Sequence, residues 1–388
     1  MIERVENPGA EKFSTARKFG ELLREQMEKD PRFYLFSPDE TTSNRLDEVF
    51  RATERAWGMR KKEFDLPESE GGRVVELLSE NVLFATMVGH LMNGEQAMMT
   101  SYEAFFSVIF SQVLQQMKFY KQSEEVKWRP KYPAVNLLST STCWRQDHNG
   151  YSHQSPAMIS ALLANPNGRV NCLFPVDDVA AEETFRFMLR SENVVNFTTF
   201  DKNEGPRWID SYHAKFLFDN GGASIYQFCS DEEPEIILTA AGDIATREMI
   251  EAGKILHEDG PEIRTRFVGI NSLTYRAIGT TEKKFTKEQF REYFTEDKPI
   301  FANFHGYKET LGGILAQYTS AERIWSFGFE EEGSTTTPMM MLVKNHASRY
   351  DIAKEIAMYL GKSELAEKYQ GEIDKIREYA IVNGVDLI

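Results

Sequence analysis

The chain has 388 residues, of which 41% are hydrophobic and 12% aromatic, enough to bury the cores of two or three domains. Its formal net charge of -15 argues against a broad phosphate-tracking surface, so an anionic ligand would need a local basic pocket. Widely spaced cysteines without a CxxC pair indicate reduced structural thiols, and no signal peptide or membrane span is visible. We expect a soluble, cytoplasmic protein that binds neither nucleic acid nor membrane.

The predicted elements alternate between helices and strands along the chain. Apolar residues at helical spacing predict a first helix over residues 13–28, which Pro31 closes. Short β-rich runs are predicted as strands at 33–36, 134–138, 170–174, 193–200, 235–241, 266–270 and 299–304, and a last helix begins at Ser363. This alternation predicts an α/β protein with two doubly wound domains and mostly parallel sheets.

The polar, turn-rich zone around residues 219–234 is the best candidate for a linker. It predicts one domain over residues 1–220, a linker at 221–234 and a second domain over 235–388. Both parts have a size that is usual for α/β domains.

The stretch "SPDETTSNRLDEVF", residues 37–50, follows a predicted strand and offers Ser43, Asn44 and Arg45 at an expected strand-to-helix junction. Ligands of α/β sheets bind at such strand ends, and a helix N-terminus beside an arginine suits phosphate. A plain helix cap with an exposed arginine would produce the same pattern.

The stretch "VVELLSENVLF", residues 74–84, runs from an apolar strand through Glu80 into an apolar helix. With Leu78, Val82, Leu83 and Phe84 around it, the Glu80 carboxylate is expected to be buried and able to share a proton. The alternative is an ordinary helix start, where acidic residues are favoured.

The stretch "TSYEAFF", residues 100–106, places Tyr102, Phe105 and Phe106 together. An aromatic cluster of this kind usually belongs to a hydrophobic core. A flat heteroaromatic ligand would use the same surface.

The densest polar stretch is "WRQDHNGYSHQ", residues 144–154. Its histidines, His148 and His153, are five residues apart, a spacing that does not place both on one helix face as in an HExxH metal site. Gly150 instead indicates a loop that presents both imidazoles to one cleft as proton carriers or phosphate donors. A purely structural polar network is the alternative.

A metal motif is imitated at "AAGD", residues 240–243, followed later by Asn271. The pattern resembles a GDG…N diphosphate site, but Ile244 replaces the second glycine of that motif and no acidic metal ligand accompanies it. We therefore interpret it as a strand-to-turn junction, and no metal site is predicted in this chain.

Together the stretches "SPDETTSNRL", "VVELLSE", "SYEAF", "WRQDHNGYSHQ", "LTAAGD", "FHGY" and "EEGSTTTP" resemble, in this order, the phosphoketolases. These thiamine diphosphate enzymes cleave xylulose 5-phosphate or fructose 6-phosphate with inorganic phosphate, giving acetyl phosphate and an aldose phosphate. The resemblance implies that this chain corresponds to their pyrimidine-binding and transketolase C-terminal-like domains.

The resemblance also implies roles for single residues. Glu80 matches the glutamate that hydrogen-bonds the aminopyrimidine ring of thiamine diphosphate, Tyr102 matches the residue that stacks on that ring, and Phe105 lies close by. His148 and His153 match the pair that faces the substrate hydroxyls and phosphate. The implied phosphate-side polar set is Ser43, Arg45, Gln146, Asn149 and Lys202.

The resemblance leaves part of the active site to another chain. In the family, a preceding domain binds the diphosphate through a divalent metal, so we expect Mg²⁺ and a diphosphate-binding domain to come from a separate partner chain, unless the sequence is a fragment of a longer enzyme. The resemblance implies a homodimer of this chain or a heterotetramer with the partner. Thr142 stands where a family histidine is expected. A split transketolase-like subunit that transfers a two-carbon unit, and a non-catalytic regulatory or binding homologue, are the alternatives.

Overall fold

The computed structural model describes residues 2–38, 40–64, 68–166, 168–330 and 335–388. In this part of the chain the α-helices are α1 (Thr15–Lys29), α2 (Glu80–Met92), α3 (Phe110–Glu124), α4 (Ala157–Ala164), α5 (Asp178–Arg190), α6 (Ser211–Asp219), α7 (Asp243–Asp259), α8 (Lys287–Phe294), α9 (Lys308–Leu315), α10 (Pro338–Lys344), α11 (Arg349–Tyr359) and α12 (Ser363–Asn383).

The strands of the same ranges are β1 (Lys12–Ser14), β2 (Tyr34–Ser37), β3 (Arg55–Ala56), β4 (Glu68–Ser69), β5 (Val74–Glu76), β6 (Ala97–Tyr102), β7 (Val135–Ser141), β8 (Val170–Leu173), β9 (Val195–Thr199), β10 (Glu204–Pro206), β11 (Ala223–Ile225), β12 (Ile236–Ala241), β13 (Thr265–Ile270), β14 (Ser272–Thr274), β15 (Ala277–Ile278), β16 (Ile300–Tyr307) and β17 (Ile324–Phe329). The chain forms two compact units, Met1–Thr142 with Asn165–Lys215 and Cys143–Ala164 with Phe216–Ile388.

The first unit is built on a parallel sheet in the order β8-β9-β7-β6-β2-β5-β3-β4. Every residue of β7 and β9 is buried, so these strands lack the alternation of apolar and polar faces that a half-exposed strand shows. On α1, Phe19 stacks on Phe200 with ring centroids 4.5 Å apart and meets Phe185 of α5 edge-on. The predicted first helix is confirmed, because α1 ends two residues before Pro31.

The second unit contains a five-stranded sheet in the order β11-β13-β12-β16-β17, parallel except for β11. The paired residues Phe301 and Trp325 of neighbouring strands stack their rings 5.1 Å apart. Mostly parallel sheets with accompanying helices confirm the predicted α/β fold class.

The structure adds an edge strand where the sequence indicates a linker. Ala223–Ile225 of β11 pairs antiparallel with β13, and the two glycines before it, Gly221 and Gly222, have φ of 85° and 80°. Glycine reaches this left-handed region without strain, so the turn-rich composition marks a tight bend into a strand. The predicted domain boundaries at 220 and 235 stay a prediction.

The junction at "AAGD" differs from the expected turn. Strand β12 ends at Ala241, Gly242 adopts φ 112°, and α7 begins directly at Asp243. A Cβ on Gly242 would lie 2.7 Å from the His305 side chain, so close approach requires glycine here. The segment is therefore a strand-to-helix connection.

The structure also describes the cysteines and the length and hydropathy of the helices. Cys143, Cys172 and Cys229 form no disulfide within the described residues, and the first two are buried. Among the helices of the described ranges, none combines the length and the hydropathy that crossing a membrane requires.

A buried ion pair joins two helices of the second unit. Glu248 of α7 is fully buried, and Arg349 at the start of α11 donates to both of its carboxylate oxygens, at 2.8 and 2.9 Å. Arg247 donates to the same carboxylate at 3.0 Å. Burial alone would raise the pKa of Glu248, but the two guanidinium groups hold this pKa at about 2.

We predict that Glu248→Gln lowers the free energy of unfolding at pH 7 by about 3–5 kcal/mol, because it leaves the Arg349 charge without its partner. A carboxylate with a depressed pKa stabilises the fold above its unfolded pKa, and that stability is lost as the pH falls towards about 2. The difference between wild type and variant in urea unfolding should therefore shrink between about pH 5 and pH 3.

Glu258→Gln is the matched control, since Glu258 lies exposed on the same helix. Equal unfolding free energies for Glu248→Gln and Glu258→Gln at pH 7 would contradict a stabilising role for the pair.

Candidate functional site

In the first unit, polar side chains gather where parallel strands end. Tyr102 is the last residue of β6, Ser141 is the last residue of β7, and Lys202 follows β9 by three residues. Glu40 follows β2 by three residues. The carboxyl ends of parallel strands share one edge of a sheet, which is the usual ligand-binding edge of α/β proteins. We call this group, with Ser43, Asn44, Arg45, Glu80 and Phe105, the first cluster.

A hydrogen-bond chain fixes the cationic side of the first cluster. Lys202 Nζ donates to Ser141 Oγ at 3.1 Å, and Ser141 Oγ donates to Asn44 Oδ1 at 3.0 Å. Burial lowers the pKa of Lys202, and the nearby Arg45 lowers it further, while Asp201 and Glu40 act in the opposite direction. The two cations are thus close enough to repel each other, an arrangement that a bound anion would relieve.

Ser43 and Arg45 lie in a series of turns, and the expected helix start at this position is wrong. The backbone N–H groups of Asn44, Arg45 and Leu46 bond to carbonyls three to five residues earlier, and Arg45 has a positive φ of 63°. Only a short 3₁₀ helix, Asp47–Arg51, follows. A phosphate contact at these residues would therefore use side chains, because a helix N-terminus is not presented there.

Glu80 is the first residue of α2, after the N-cap Ser79, and it is half-buried. Ser101 Oγ donates to its carboxylate at 3.2 Å. The expected apolar enclosure is wrong in part, since Leu78 is 80% exposed and Val82 is 50% exposed, whereas Leu83 is buried. The helical turn of 100° per residue directs Val82 and Leu83 to different sides.

Tyr102 and Phe105 offer a flat aromatic surface beside this carboxylate. Their rings are nearly parallel, at 12°, with centroids 5.9 Å apart, and both side chains are half-buried. Lys202 Nζ lies 5.4 Å from the centre of the Tyr102 ring, and Ser43 Oγ lies 3.4 Å from the Tyr102 hydroxyl. Phe106 instead packs in the core against Phe197, as an aromatic cluster commonly does.

Glu40 is a second carboxyl group of this cluster that sequence reasoning missed. Its Oε2 atom is buried and has no hydrogen-bond partner among the described residues. Burial, and then the neighbouring Glu80 charge, raise the pKa of Glu40 to about 8, partly offset by Asn44, the Tyr102 backbone and Lys202. Glu40 therefore carries a proton at pH 7, next to the carboxylate of Glu80.

In the second unit, residues 143–154 form two short 3₁₀ segments; we call residues 146–153 the histidine loop. Trp144 anchors the segment, since its Nε1 donates to the His305 carbonyl at 2.7 Å and its ring packs edge-on against Phe329. Gly150 breaks the second 3₁₀ segment with φ 61° and ψ −160°, a conformation that is essentially restricted to glycine.

Gln146 is the buried amide of the histidine loop. Asn149 Nδ2 donates to its Oε1 at 2.6 Å, and Gln154 Nε2 donates to its backbone carbonyl at 2.9 Å. The Gln146 Nε2 donor is buried and has no hydrogen-bond partner in the part of the chain that the structure describes. A buried donor left unpaired costs free energy, which a ligand acceptor would recover.

The two histidines differ in exposure and charge. His148 is largely exposed, 3.8 Å from Asp147 Oδ2. Ser152 Oγ donates to the Asn149 carbonyl at 3.1 Å, so His153 Nδ1, 2.8 Å away, is the donor to Ser152 and Nε2 is the basic nitrogen. Burial, and then the His148 charge, lower the pKa of His153 from 6.5, which leaves a neutral imidazole at pH 7.

The structure thus divides the predicted site residues between the two units. The first cluster contains the predicted residues Ser43, Arg45, Glu80, Tyr102, Phe105 and Lys202. The histidine loop contains Gln146, His148, Asn149 and His153. Sequence reasoning missed Glu40, Ser101, Ser141 and Ser152, although their positions at strand ends or beside a named histidine were visible in the sequence.

Two family models match the chain in tandem. The model for D-xylulose 5-phosphate/D-fructose 6-phosphate phosphoketolase matches residues 17–191, and the model for the XFP C-terminal domain matches residues 202–388. The first range includes the named residues at 40–45, 80, 102–105 and 146–153.

Curated relatives agree over nearly the whole chain. A probable phosphoketolase from Pseudomonas putida is 33% identical over 391 residues, covering 98% of this chain and 49% of the relative. A xylulose-5-phosphate phosphoketolase from Lactiplantibacillus pentosus is 33% identical over 342 residues, covering 87% of this chain and 43% of the relative. The chain therefore spans about half the length of these relatives.

Solved structures show the same fold at low sequence identity. A transketolase from Pichia stipitis in complex with xylulose 5-phosphate superposes with a TM-score of 0.71 and 15% identity, over 95% of this chain and 48% of that one. A split-gene transketolase, solved as an inactive β4 tetramer, gives a TM-score of 0.60 and 16% identity, over 88% of this chain and 96% of that one. With a transketolase-like fold and both family models matched in order, the chain belongs to the phosphoketolase family.

Proposed function

We propose that this chain is the pyrimidine-binding and C-terminal half of a thiamine diphosphate-dependent phosphoketolase. It would cleave xylulose 5-phosphate or fructose 6-phosphate with inorganic phosphate, giving acetyl phosphate and an aldose phosphate. The observation that carries the proposal is the first cluster, where Glu40 and Glu80 share a site with an aromatic surface and with Arg45 and Lys202. The names of the curated relatives support the substrate class.

The residues of the first cluster fit the ring end of thiamine diphosphate. Glu80, held by Ser101, offers a carboxylate to a ring nitrogen, and Tyr102 with Phe105 offers a face for stacking. The buried, unpaired Oε2 of Glu40 provides a further polar group for a bound ligand. When bound, thiamine diphosphate supplies the carbanion chemistry that carbon–carbon cleavage needs.

The protein's own contribution there is control of one proton. Glu40 keeps its proton because it is buried and because the Glu80 charge lies nearby, while Glu80 remains available as a hydrogen-bond acceptor. A neutral Glu40 places no second negative charge beside Glu80, so Glu80 can serve as the hydrogen-bond acceptor for a ring nitrogen.

Phosphate groups find donors in each unit. Arg45, Lys202 and the Ser43 hydroxyl supply charge and a hydrogen bond in the first cluster, and the unpaired Gln146 amide supplies a neutral donor in the histidine loop. His153, neutral and with Nε2 as its basic nitrogen, suits the removal of a proton from a substrate hydroxyl or phosphate.

A companion chain would bring the diphosphate-binding domain and its Mg²⁺. This part of the proposal is supported by the split-gene transketolase, most of whose chain aligns with this one. The surface around α2 gives physical support, because Leu77, Leu78, Val82, Met92 and Val108 are all between 45% and 80% exposed. Clustered exposed apolar residues indicate an interaction surface.

A transketolase-like two-carbon transfer is the second candidate. It is favoured by the fold similarity to the Pichia stipitis transketolase. Product analysis separates the two reactions, since one yields acetyl phosphate and the other a new ketose phosphate.

We predict that this chain forms acetyl phosphate when it is mixed with a companion chain carrying a GDG…N domain, thiamine diphosphate, Mg²⁺, phosphate and either ketose phosphate. Glu80→Gln should reduce the rate by at least about a hundredfold, because it removes the proton acceptor. Acetyl phosphate is measured as its hydroxamate.

Glu21→Gln, an exposed change on α1, serves as the control and should retain wild-type activity. Acetyl phosphate formation that is unaffected by Glu80→Gln would argue for a regulatory or binding homologue.

We predict that Glu40→Gln mimics the protonated carboxyl and retains activity at pH 7. Because the pKa of Glu40 is raised in the folded state, folding of the wild type takes up a proton between about pH 4.5 and pH 8. As the pH rises through that window, the unfolding free energy of the wild type should fall relative to that of the variant, by up to about 1.4 kcal/mol per pH unit. The wild-type rate should decline as Glu40 ionises near pH 8, whereas the variant should lack this decline.

The measurements are urea unfolding and the pH profile of kcat for both proteins. Parallel stability curves from about pH 5 to pH 8 would show that Glu40 is not a buried, protonated group.

A further inference from the structure

The segment after residues 331–334, which lie outside the described residues, contacts the histidine loop before its kink and at the kink itself. The Thr336 N–H donates to the Asp147 carbonyl at 3.0 Å. Thr335 Oγ1 lies 3.0 Å from the position that a Cβ on Gly150 would occupy. Residues 335–337, from the "EEGSTTTP" motif, therefore pack directly against the backbone that carries the two histidines.

The C-terminal residues hold this threonine segment from the other side. Helix α12 ends at Asn383, Gly384 adopts a left-handed φ of 68°, and the chain turns so that Asp386 reaches the start of α10. One Asp386 oxygen accepts a hydrogen bond from the Thr337 hydroxyl, and the other accepts from the Met339 N–H at 2.9 Å. A carboxylate at a helix N-terminus is favoured by the helix dipole.

We propose that Asp386 is a positioning residue for the histidine loop. Its carboxylate accepts a hydrogen bond from Thr337, and the adjoining Thr336 donates to the Asp147 carbonyl. Because Asp147 lies in the histidine loop, these two contacts together would fix the positions of His148 and His153. The contacts are present in the structure whatever the function is, whereas the consequence for catalysis rests on the proposed function.

The histidine loop needs an external support because its backbone is irregular. Gly150 has a conformation that disfavours any side chain, and the loop has only 3₁₀ turns, whose hydrogen bonds are poorer than those of an α-helix. Trp144 anchors the chain before the loop and Gln154 bonds back to Gln146 at its end. Thr336 adds a hydrogen bond between these two points from a distant segment of the chain.

A purely local role for Asp386 makes a different prediction. If Asp386 only caps α10, its removal would loosen Pro338–Lys344 and leave the histidine loop unchanged. The two roles can therefore be separated by measuring each segment.

The test is hydrogen–deuterium exchange of the full chain, with Asp386→Ala compared with wild type. Amides of residues 146–153 should exchange about tenfold faster, while the strands β12 and β13 keep wild-type rates. Faster exchange confined to residues 338–344 would overturn the proposal. Asp374→Ala, an exposed change on α12, is the control and should alter neither segment.

Two milder variants keep the test decisive if Asp386→Ala folds poorly. Thr337→Val removes one hydrogen bond to Asp386 without changing the shape of the side chain, and Asp386→Asn keeps an acceptor oxygen. Both should give an intermediate increase in exchange over residues 146–153. Adding Thr337→Val to Asp386→Ala should not raise the exchange rate of residues 146–153 any further. If the two substitutions raised that rate additively, Asp386 would not act on the loop through Thr337.

A second readout follows the histidine itself. In ¹⁵N-histidine NMR spectra, the titration midpoint of His153 should move upwards towards its ordinary value in Asp386→Ala, because a loosened loop exposes the ring. An unchanged His153 midpoint would count against positioning. In an active complex, kcat should fall with Asp386→Ala; if no companion chain yields acetyl phosphate, the exchange and NMR results still decide the proposal about Asp386.

Discussion

Burial of both faces of a parallel sheet is the constraint on which the first unit depends. Each side chain of β7 and β9 is covered, so a ligand can reach this sheet only where its strands end. Tyr102, Ser141 and Lys202 lie at those ends or just beyond them. The apolar interior thereby decides where the polar chemistry of the unit can be located.

The pairing of Glu40 with Glu80 is the main electrostatic consequence of this arrangement. A carboxyl group next to another carboxylate, and removed from water, retains its proton at neutral pH. The neighbouring Lys202 reduces this effect without cancelling it, because burial also disfavours the charged ammonium group. The first cluster therefore holds a neutral carboxyl group beside Glu80, with the cations of Arg45 and Lys202 close by.

Sequence reasoning predicted the elements and most named site residues, and its failures have physical causes. Strand and helix positions follow from apolar periodicity, which directly reflects burial. The proton on Glu40 depends first on burial in the folded chain and then on Glu80, forty residues away along the chain, so it cannot be predicted from the local sequence. The turns at Arg45 depend on a positive φ that residue type does not reveal, and the bend before β11 has the same composition as a linker.

The histidine loop is rich in polar residues although part of it is buried. Gln146 is buried with an unpaired amide, while His148 on the next turn is exposed. An unpaired donor keeps its preference for a ligand only if the surrounding backbone is held in place, since a mobile loop would let water solvate the amide. In a chain of net charge -15, anion binding has to come from such local donors and cations, because the overall field repels phosphate.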